Sequence, residues 1–356
     1  MGAKEDLAKF KKILDRELKK YLDLKVREAA KVSPHAKELM DHIYDLTLRG
    51  GKRIRAALLF YSYVAHGGKN KKEALLAAMS MEMAETYLLI HDDIMDNDNL
   101  RRGGTTIHES YRLIAEDRFK GKTNSSSFGS SLGILAGDIA CGMSNEILAE
   151  RNFKSEFVKR ALLEMNRIYI IEGYGQALDI LSEIREDVII DDVIKVHEMK
   201  TVPYTFDGPI KIGAILAGAD DKKVKALEKY SYPLGTAFQI QDDILGMFGS
   251  EEKLGKPVTS DLKEGKKTLL ILDALENCTE KQRETILLYL GNKRVSLRGL
   301  EIVRKIIIQT GSLEKSKKMA DDLVKRSYKS MQGMKLNKEG KDFLLRIADY
   351  MVKREY

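Results

Sequence analysis

Residues 87–104 read YLLIHDDIMDNDNLRRGG, and residues 238–257 read FQIQDDILGMFGSEEKLGKP. In both, an apolar run at helical spacing ends in a pair of aspartates and gives way to a glycine-containing loop with Arg or Lys. Asp92 and Asp96 stand four residues apart, so one helix face projects both carboxylates, with Asp93 beside them. Like charges at that spacing repel, and acids near a helix C-terminus oppose its dipole, so helix stability does not select this arrangement. Two unit charges 4 Å apart interact by roughly 4 kcal/mol at an effective dielectric near 20, so clustered carboxylates either bind protons or call for a cation. An all-oxygen donor set points to Mg²⁺ rather than zinc. A solvated acidic helix end is the commoner meaning of a lone D-D-x-x-D, and the apolar residues leading into both clusters weigh against it.

Around the aspartates lie Arg101, Arg102, Lys256, Lys266 and Lys267. Metal-binding acids next to such cations form the combination a diphosphate needs, because Mg²⁺ bridges carboxylate and phosphate oxygens while Arg supplies planar paired donors. The stretch LRGGKRIRAALL (48–59) adds Gly50, Gly51, Lys52, Arg53 and Arg55 at a helix start, where free N–H groups favour an anion. A second anion site implies two phosphorylated substrates. No G-x-x-x-x-G-K-[ST] loop and no G-x-G-x-x-G after a strand is present, so a nucleotide fold is not indicated.

Further out, apolar residues recur at helical spacing almost everywhere, and no alternating strand stands out. Helices are expected near 4–28, 35–48, 52–66, 71–96, 105–117, 130–149, 154–182, 189–217, 220–247, 267–276, 279–291, 296–310, 313–331 and 338–353. Five prolines in 356 residues suit long helices better than a β-sandwich. Pro203 and Pro209 interrupt one helical run, where a kink or local unwinding is expected. The stretch 119–132 (FKGKTNSSSFGSSL) reads as a mobile surface loop. A composition 43% apolar supports a real core. The expected architecture is all-α, a single domain spanning 1–356 with an N-terminal helix over 1–30 and flanking helices over about 270–356.

The formal charge of +7, from 61 Lys and Arg against 54 Asp and Glu, is scattered, with no nucleic-acid-binding motif; no nucleic-acid partner is expected. Cys141 and Cys278 read as buried small residues in a reducing compartment. No apolar stretch reads as approaching the roughly 18 residues needed to span a bilayer, and the N-terminus lacks a signal pattern. A cytoplasmic protein is expected.

Eight motifs in order resemble the trans-isoprenyl diphosphate synthases, the family of farnesyl and geranylgeranyl diphosphate synthases. They are GGKRIR (50–55), HDDIMDNDNLRRGGTTIH (91–108), LAGD (135–138), GQALD (175–179), KT (200–201), FQIQDDILG (238–246), GKPVTSDLKEGKKT (255–268) and VKREY (352–356). The resemblance implies an isoprenoid synthase fold, a bundle of long antiparallel helices around a deep cavity, working as a homodimer. It implies Mg²⁺, three ions with diphosphate bound, held by Asp92, Asp93 and Asp96 and by Asp242 and Asp243. It assigns the allylic diphosphate to Arg101, Lys200, Thr201, Gln239, Lys256 and Lys266. Isopentenyl diphosphate falls to Lys52, Arg55 and Arg102, with Lys353 or Arg354 closing over it. The implied reaction is ionisation of the allylic substrate, head-to-tail condensation and proton loss. The 119–132 stretch and the tail are the expected lids.

Three departures stand out. Gly246 replaces the third Asp of the second motif, Ala56 stands where the family commonly has Pro, and Glu85 takes a position where most relatives place a His near isopentenyl diphosphate. An acid facing a diphosphate is unfavourable unless a neighbouring base pairs with it. Tyr87 and Leu88, five and four residues before the first Asp, are the expected chain-length floor, which favours geranylgeranyl diphosphate, with farnesyl diphosphate next. The rival readings are a non-catalytic modulatory subunit, a longer-chain synthase, a terpene cyclase and a basic helical scaffold.

Overall fold

The computed structural model describes residues 2–249 and 258–352. Among them the chain is helical nearly throughout: α1 (Ala3–Val32), α2 (Pro34–Leu48), α3 (Ile54–Ala65), α4 (Lys71–Met95), α5 (Ile107–Arg118), α6 (Ser125–Ala149) and α7 (Ser155–Ile184) come first. After them come α8 (Ile190–Val196), two π-helical turns (His197–Thr201 and Pro203–Asp207), α9 (Gly208–Leu216), α10 (Asp221–Ala226), α11 (Glu228–Phe248) and α12 (Ser260–Glu264). The last are α13 (Leu269–Asn277), α14 (Glu280–Tyr289), α15 (Leu297–Gln309), α16 (Ser312–Gln332) and α17 (Lys338–Val352). The contacts divide the chain into two compact units, residues 1–165 with 212–219, and 166–211 with 220–356.

In the first unit α4 is the central element, packed on α3 and α6 and touching α1, α2 and α5. Its Ala77, Ala78, Met81 and Met83 are fully or almost fully buried, as suits a helix covered on most sides. α1 lays Leu7, Phe10, Leu14, Leu18 and Leu22 inward at helical spacing. Ser33 caps α2, its hydroxyl accepting the Ala36 N–H, and Pro34 follows at the first helical position.

α6 corrects the reading of 119–132 as a loop. The non-helical connection is short, and α6 begins at Ser125 with Asn124 as its cap, Oδ1 accepting the Ser127 N–H at 2.9 Å. The serine and glycine cluster is a packing face. A methyl group at Gly129, Gly133 or Gly137 would fall 2.2 Å from the His108 carbonyl oxygen, 2.7 Å from Ile94 and 2.2 Å from the His91 ring. Small residues every fourth position let α6 approach α4 and α5 closely. By length and composition alone an 18-residue window of α6 could cross a membrane, which the sequence reading did not find, but one such helix does not indicate a membrane span. It is packed within the first unit, with 44% of that window buried.

In the second unit α11 packs along α16 and against both π-helical turns. Tyr230, fully buried, donates to the Leu344 carbonyl at 2.6 Å, and Ser327 donates to the Tyr230 carbonyl at 2.8 Å. The run expected as one helix over 189–217 widens into π turns at 197–207, where Pro203 removes an N–H from the ladder. The run expected over 220–247 is broken at Leu227. One two-stranded hairpin, Leu100–Arg101 (β1) with Gly104–Thr105 (β2), breaks the all-helical pattern. Cys141 and Cys278 are half-buried rather than buried.

Candidate active site

The first unit holds one charged cluster at the C-terminal end of α4. Asp96 caps the helix, its N–H donating to the Asp92 carbonyl at 2.8 Å. The chain then turns through Asn97 (φ +56°) into the hairpin, whose two loop residues Arg102 (φ +52°) and Gly103 (φ +73°) carry the positive dihedrals of a tight two-residue turn. Arg49 anchors the hairpin, donating to the carbonyls of Thr105 at 2.9 Å and Arg101 at 3.3 Å. Arg101 lies 2.5 Å from Asp93 Oδ1, 3.3 Å from Asp92 and 3.2 Å from Asp98.

Asp93 is 1% exposed, and its Oδ2 has no hydrogen-bond partner among the described residues. Burial pushes its carboxyl up to about 7, against the pull of Arg101. The Tyr87 ring meets the His91 ring edge-on, 5.0 Å between centroids, and Leu88 is buried.

Arg102 serves a different anion. Its Nη2 lies 2.7 Å from Glu85 Oε1, the atom that Arg55 Nη1 also reaches at 3.0 Å, and its Nη1 donates to the Gly50 carbonyl at 3.4 Å. Glu85 is therefore paired with two bases, the compensation an acid at this position needs. Gly50 (φ +136°) and Gly51 (φ +103°) supply dihedrals that side chains disfavour, and at Gly51 a methyl would sit 3.3 Å from Arg102. Arg53 (φ +57°) turns inward, its guanidinium meeting Asp15 at 2.7 Å, Glu82 at 2.8 Å and the Thr47 carbonyl at 2.9 Å. Lys52 is exposed beside it.

The second unit holds a pocket lined by Lys200, Thr201, Gln239, Asp242, Asp243 and Lys266, all expected at the site. Thr201 donates to Gln239 Oε1 at 2.9 Å, and Gln239 donates through Nε2 to Asp243 Oδ1 at 3.1 Å. Lys200 pairs with Asp179 at 2.7 Å and Lys266 with Glu264 at 3.2 Å. The G of the GQALD motif lets the backbone carrying Lys200 come close: a methyl on Gly175 would fall 2.4 Å from the Lys200 backbone nitrogen. Asp243 Oδ2 is buried 3.3 Å from His197 Nε2 without forming a hydrogen bond. Lys267 also lines this pocket, with its ammonium donating to the carbonyls of Ser182, Glu183 and Arg185 at the end of α7. Lys256, Lys353 and Arg354 lie outside the described residues.

Gly246 does not leave the second motif a carboxylate short. A methyl on Gly246 would meet Asp261 Oδ2 at 2.1 Å, so Asp261 of the next segment fills the space a third aspartate would have used. Asp261, Asp179, His197 and Glu85's partnership are the parts that sequence reasoning left unassigned. Asp261 lay inside the quoted motif GKPVTSDLKEGKKT, and the absent side chain at 246 was the signal for its place.

The donors fit Mg²⁺. They are carboxylate oxygens, two of them buried and without hydrogen bonds, Asp93 Oδ2 and Asp243 Oδ2. Among the described residues no three acidic, His or Cys side chains form a complete cage. That suits an ion held by one or two carboxylates together with substrate phosphates.

The family model for polyprenyl synthetases matches residues 36–306. The chain belongs to the polyprenyl synthetase family. A geranylgeranyl diphosphate synthase of Sulfolobus acidocaldarius is 36% identical over 84% of this chain and 86% of its own length. A short chain isoprenyl diphosphate synthase of Methanothermobacter thermautotrophicus is 33% identical over 95% of this chain and 98% of its own. A solved geranylgeranyl pyrophosphate synthase from Corynebacterium glutamicum, complexed with isoprenyl diphosphate and magnesium, superposes with a TM-score of 0.91 at 28% identity, covering 98% of this chain and 99% of that one. This polyprenyl synthetase therefore has the all-α isoprenoid synthase fold and is a prenyltransferase.

Proposed function

We propose that this prenyltransferase joins isopentenyl diphosphate head to tail to dimethylallyl, geranyl or farnesyl diphosphate, with geranylgeranyl diphosphate as main product. The carrying observation is the pairing, within the first unit, of an aspartate cluster on Arg101 with a separate two-arginine site on Arg55 and Arg102. Two kinds of anion site suit two diphosphates, whereas a cyclase handles one. Mg²⁺ bound by Asp92, Asp93, Asp96, Asp242 and Asp243, three ions in all, would supply positive charge to the departing diphosphate.

The chain's own cations do the rest. Lys200 and Lys266, aided by Thr201, Gln239, Arg101 and Lys256, hold the allylic diphosphate as its C–O bond ionises. Lys52, Arg55 and Arg102 hold isopentenyl diphosphate, with Lys353 or Arg354 over it, so that its double bond meets the allylic cation. The proton then leaves to the released diphosphate. Asp261 supports Asp242 in the role that Gly246 cannot fill. Tyr87 and Leu88 limit chain growth.

We further propose that both units act as one catalytic domain in a cytoplasmic homodimer. Exposed Ile134, Leu135 and Ile139 along α6 are a surface suited to a second copy, and two cysteines outside any disulfide suit a reducing compartment. The test is incubation of purified protein with Mg²⁺, labelled isopentenyl diphosphate and each starter in turn, followed by product sizing. Twenty-carbon product is expected. Absence of product from folded protein with every starter would favour a modulatory subunit.

A further inference from the structure

Glu82 and Glu85 stand three residues apart on α4, so both face the turn that carries Lys52, Arg53 and Arg55. Their partners divide the basic residues into two sets. Glu82, 1% exposed, takes Arg53, whose remaining donors go to Asp15 and the Thr47 carbonyl, so that arginine is fully engaged in the core. Glu85 takes Arg55 and Arg102 on the single atom Oε1, at 3.0 and 2.7 Å, and all three side chains are 13–18% exposed, open enough to meet a solute. Two guanidinium groups converging on one carboxylate oxygen present the geometry with which arginines clasp a phosphate oxygen.

We propose that Glu85 is a resident counter-anion of the isopentenyl diphosphate subsite, occupying Arg55 and Arg102 until the diphosphate displaces it, and thereby weakening affinity for that substrate alone. The inference rests on the assignment of Arg55 and Arg102 to isopentenyl diphosphate. Its physical basis is charge: the two arginines and the glutamate sum to +1 rather than +2, and an arriving diphosphate must both take the arginines from a carboxylate and lie next to it. Burial works to raise the Glu85 carboxyl, yet Arg55, Arg102 and Arg53 outweigh it and hold that carboxyl below the ordinary glutamate range, so the competing anion is charged. Arg102 stays aimed at the subsite when released, because its turn geometry and its bond to the Gly50 carbonyl do not depend on Glu85.

The test compares Glu85→Gln, which keeps the shape and loses the charge, with Glu85→Asp, which keeps the charge. Binding of isopentenyl diphosphate alone is measured by calorimetry, and KM for both substrates by turnover. Glu85→Gln is expected to tighten isopentenyl diphosphate binding about tenfold, with the KM for the allylic substrate as internal reference, while Glu85→Asp brings no gain. Weaker binding in both variants would make Glu85 a positioning residue for the arginines and overturn the proposal. If Glu85→Gln fails to fold, the wild-type protein crystallised with isopentenyl diphosphate decides: Glu85 moved off both guanidinium groups supports the inference, and Glu85 still bonded to both overturns it. Binding without turnover would sink the reaction assignment while leaving the comparison of affinities intact.

Discussion

The two aspartate clusters begin as near copies in sequence and end in different electrostatic settings. On α4, Arg101 reaches Asp92, Asp93 and Asp98 at once, and Asp93 is so buried that its carboxyl rises to about 7. On α11, no arginine is found against Asp243 among the described residues; Gln239 and His197 face it, and the third carboxylate comes from Asp261 on another segment. At the first pair Arg101 lies against Asp93, whereas at the second Asp243 has Gln239 and His197 beside it, with Lys200 and Lys266 lining the same pocket. Similar residue patterns are thus set in two different electrostatic surroundings.

Variants can break or sharpen that contrast. The largest effect is expected from Asp92→Asn and Asp242→Asn, each lowering kcat roughly a thousandfold with little change in melting temperature. Steady-state turnover across a Mg²⁺ titration reads both; a full rescue of either by excess Mg²⁺ would mark that carboxylate as an affinity determinant only. Next is Arg53→Met, which strands Glu82 in the core beneath the first region and should lower stability by about 3–5 kcal/mol in urea unfolding.

Gly246→Ala should lower activity roughly ten- to a hundredfold by displacing Asp261, with Gly142→Ala, whose added methyl meets nothing within 4 Å, as the silent control. Activity equal to the control would remove Asp261 from the second cluster. Tyr87→Ala should lengthen the products beyond twenty carbons; an unchanged profile would take Tyr87 out of chain-length control. The smallest effect is with pH. Burial holds His42 and His108 below the ordinary histidine range. With folded values below the unfolded ones, the unfolded chain binds more protons near pH 6, so stability rises with pH through that window and is lost as pH falls below about 6.5. The urea midpoint should fall as pH drops through that window, and His108→Gln should flatten the dependence.

Much of this was legible in the residues. The helical periodicity named most elements to within a few residues, and Pro203 announced the π turns. Asp92, Arg101, Lys200 and Gln239 were candidates because each sits in a short motif, and the structure sets Arg101 against Asp92 and lines one pocket with Lys200 and Gln239. The start of α6 at 125–129 was not legible, since serine and glycine weaken a helix locally, and only the close approach of His108 and Arg112 makes those same residues the right ones for one. Lys267 looked like another phosphate ligand, and its use as a cap for the end of α7 depends on a segment more than 80 residues earlier.

The sequence by itself determined the helical class, the two carboxylate clusters and the basic residues near them, because charge and periodicity are properties of neighbouring residues. The tertiary structure alone decided that Arg102 meets Glu85, that Arg53 meets Glu82, and that Asp261 fills the gap at Gly246. Those choices depend on distances of a few ångströms between segments far apart in the chain. At that range electrostatic energy changes steeply with separation and burial, and sequence order carries neither.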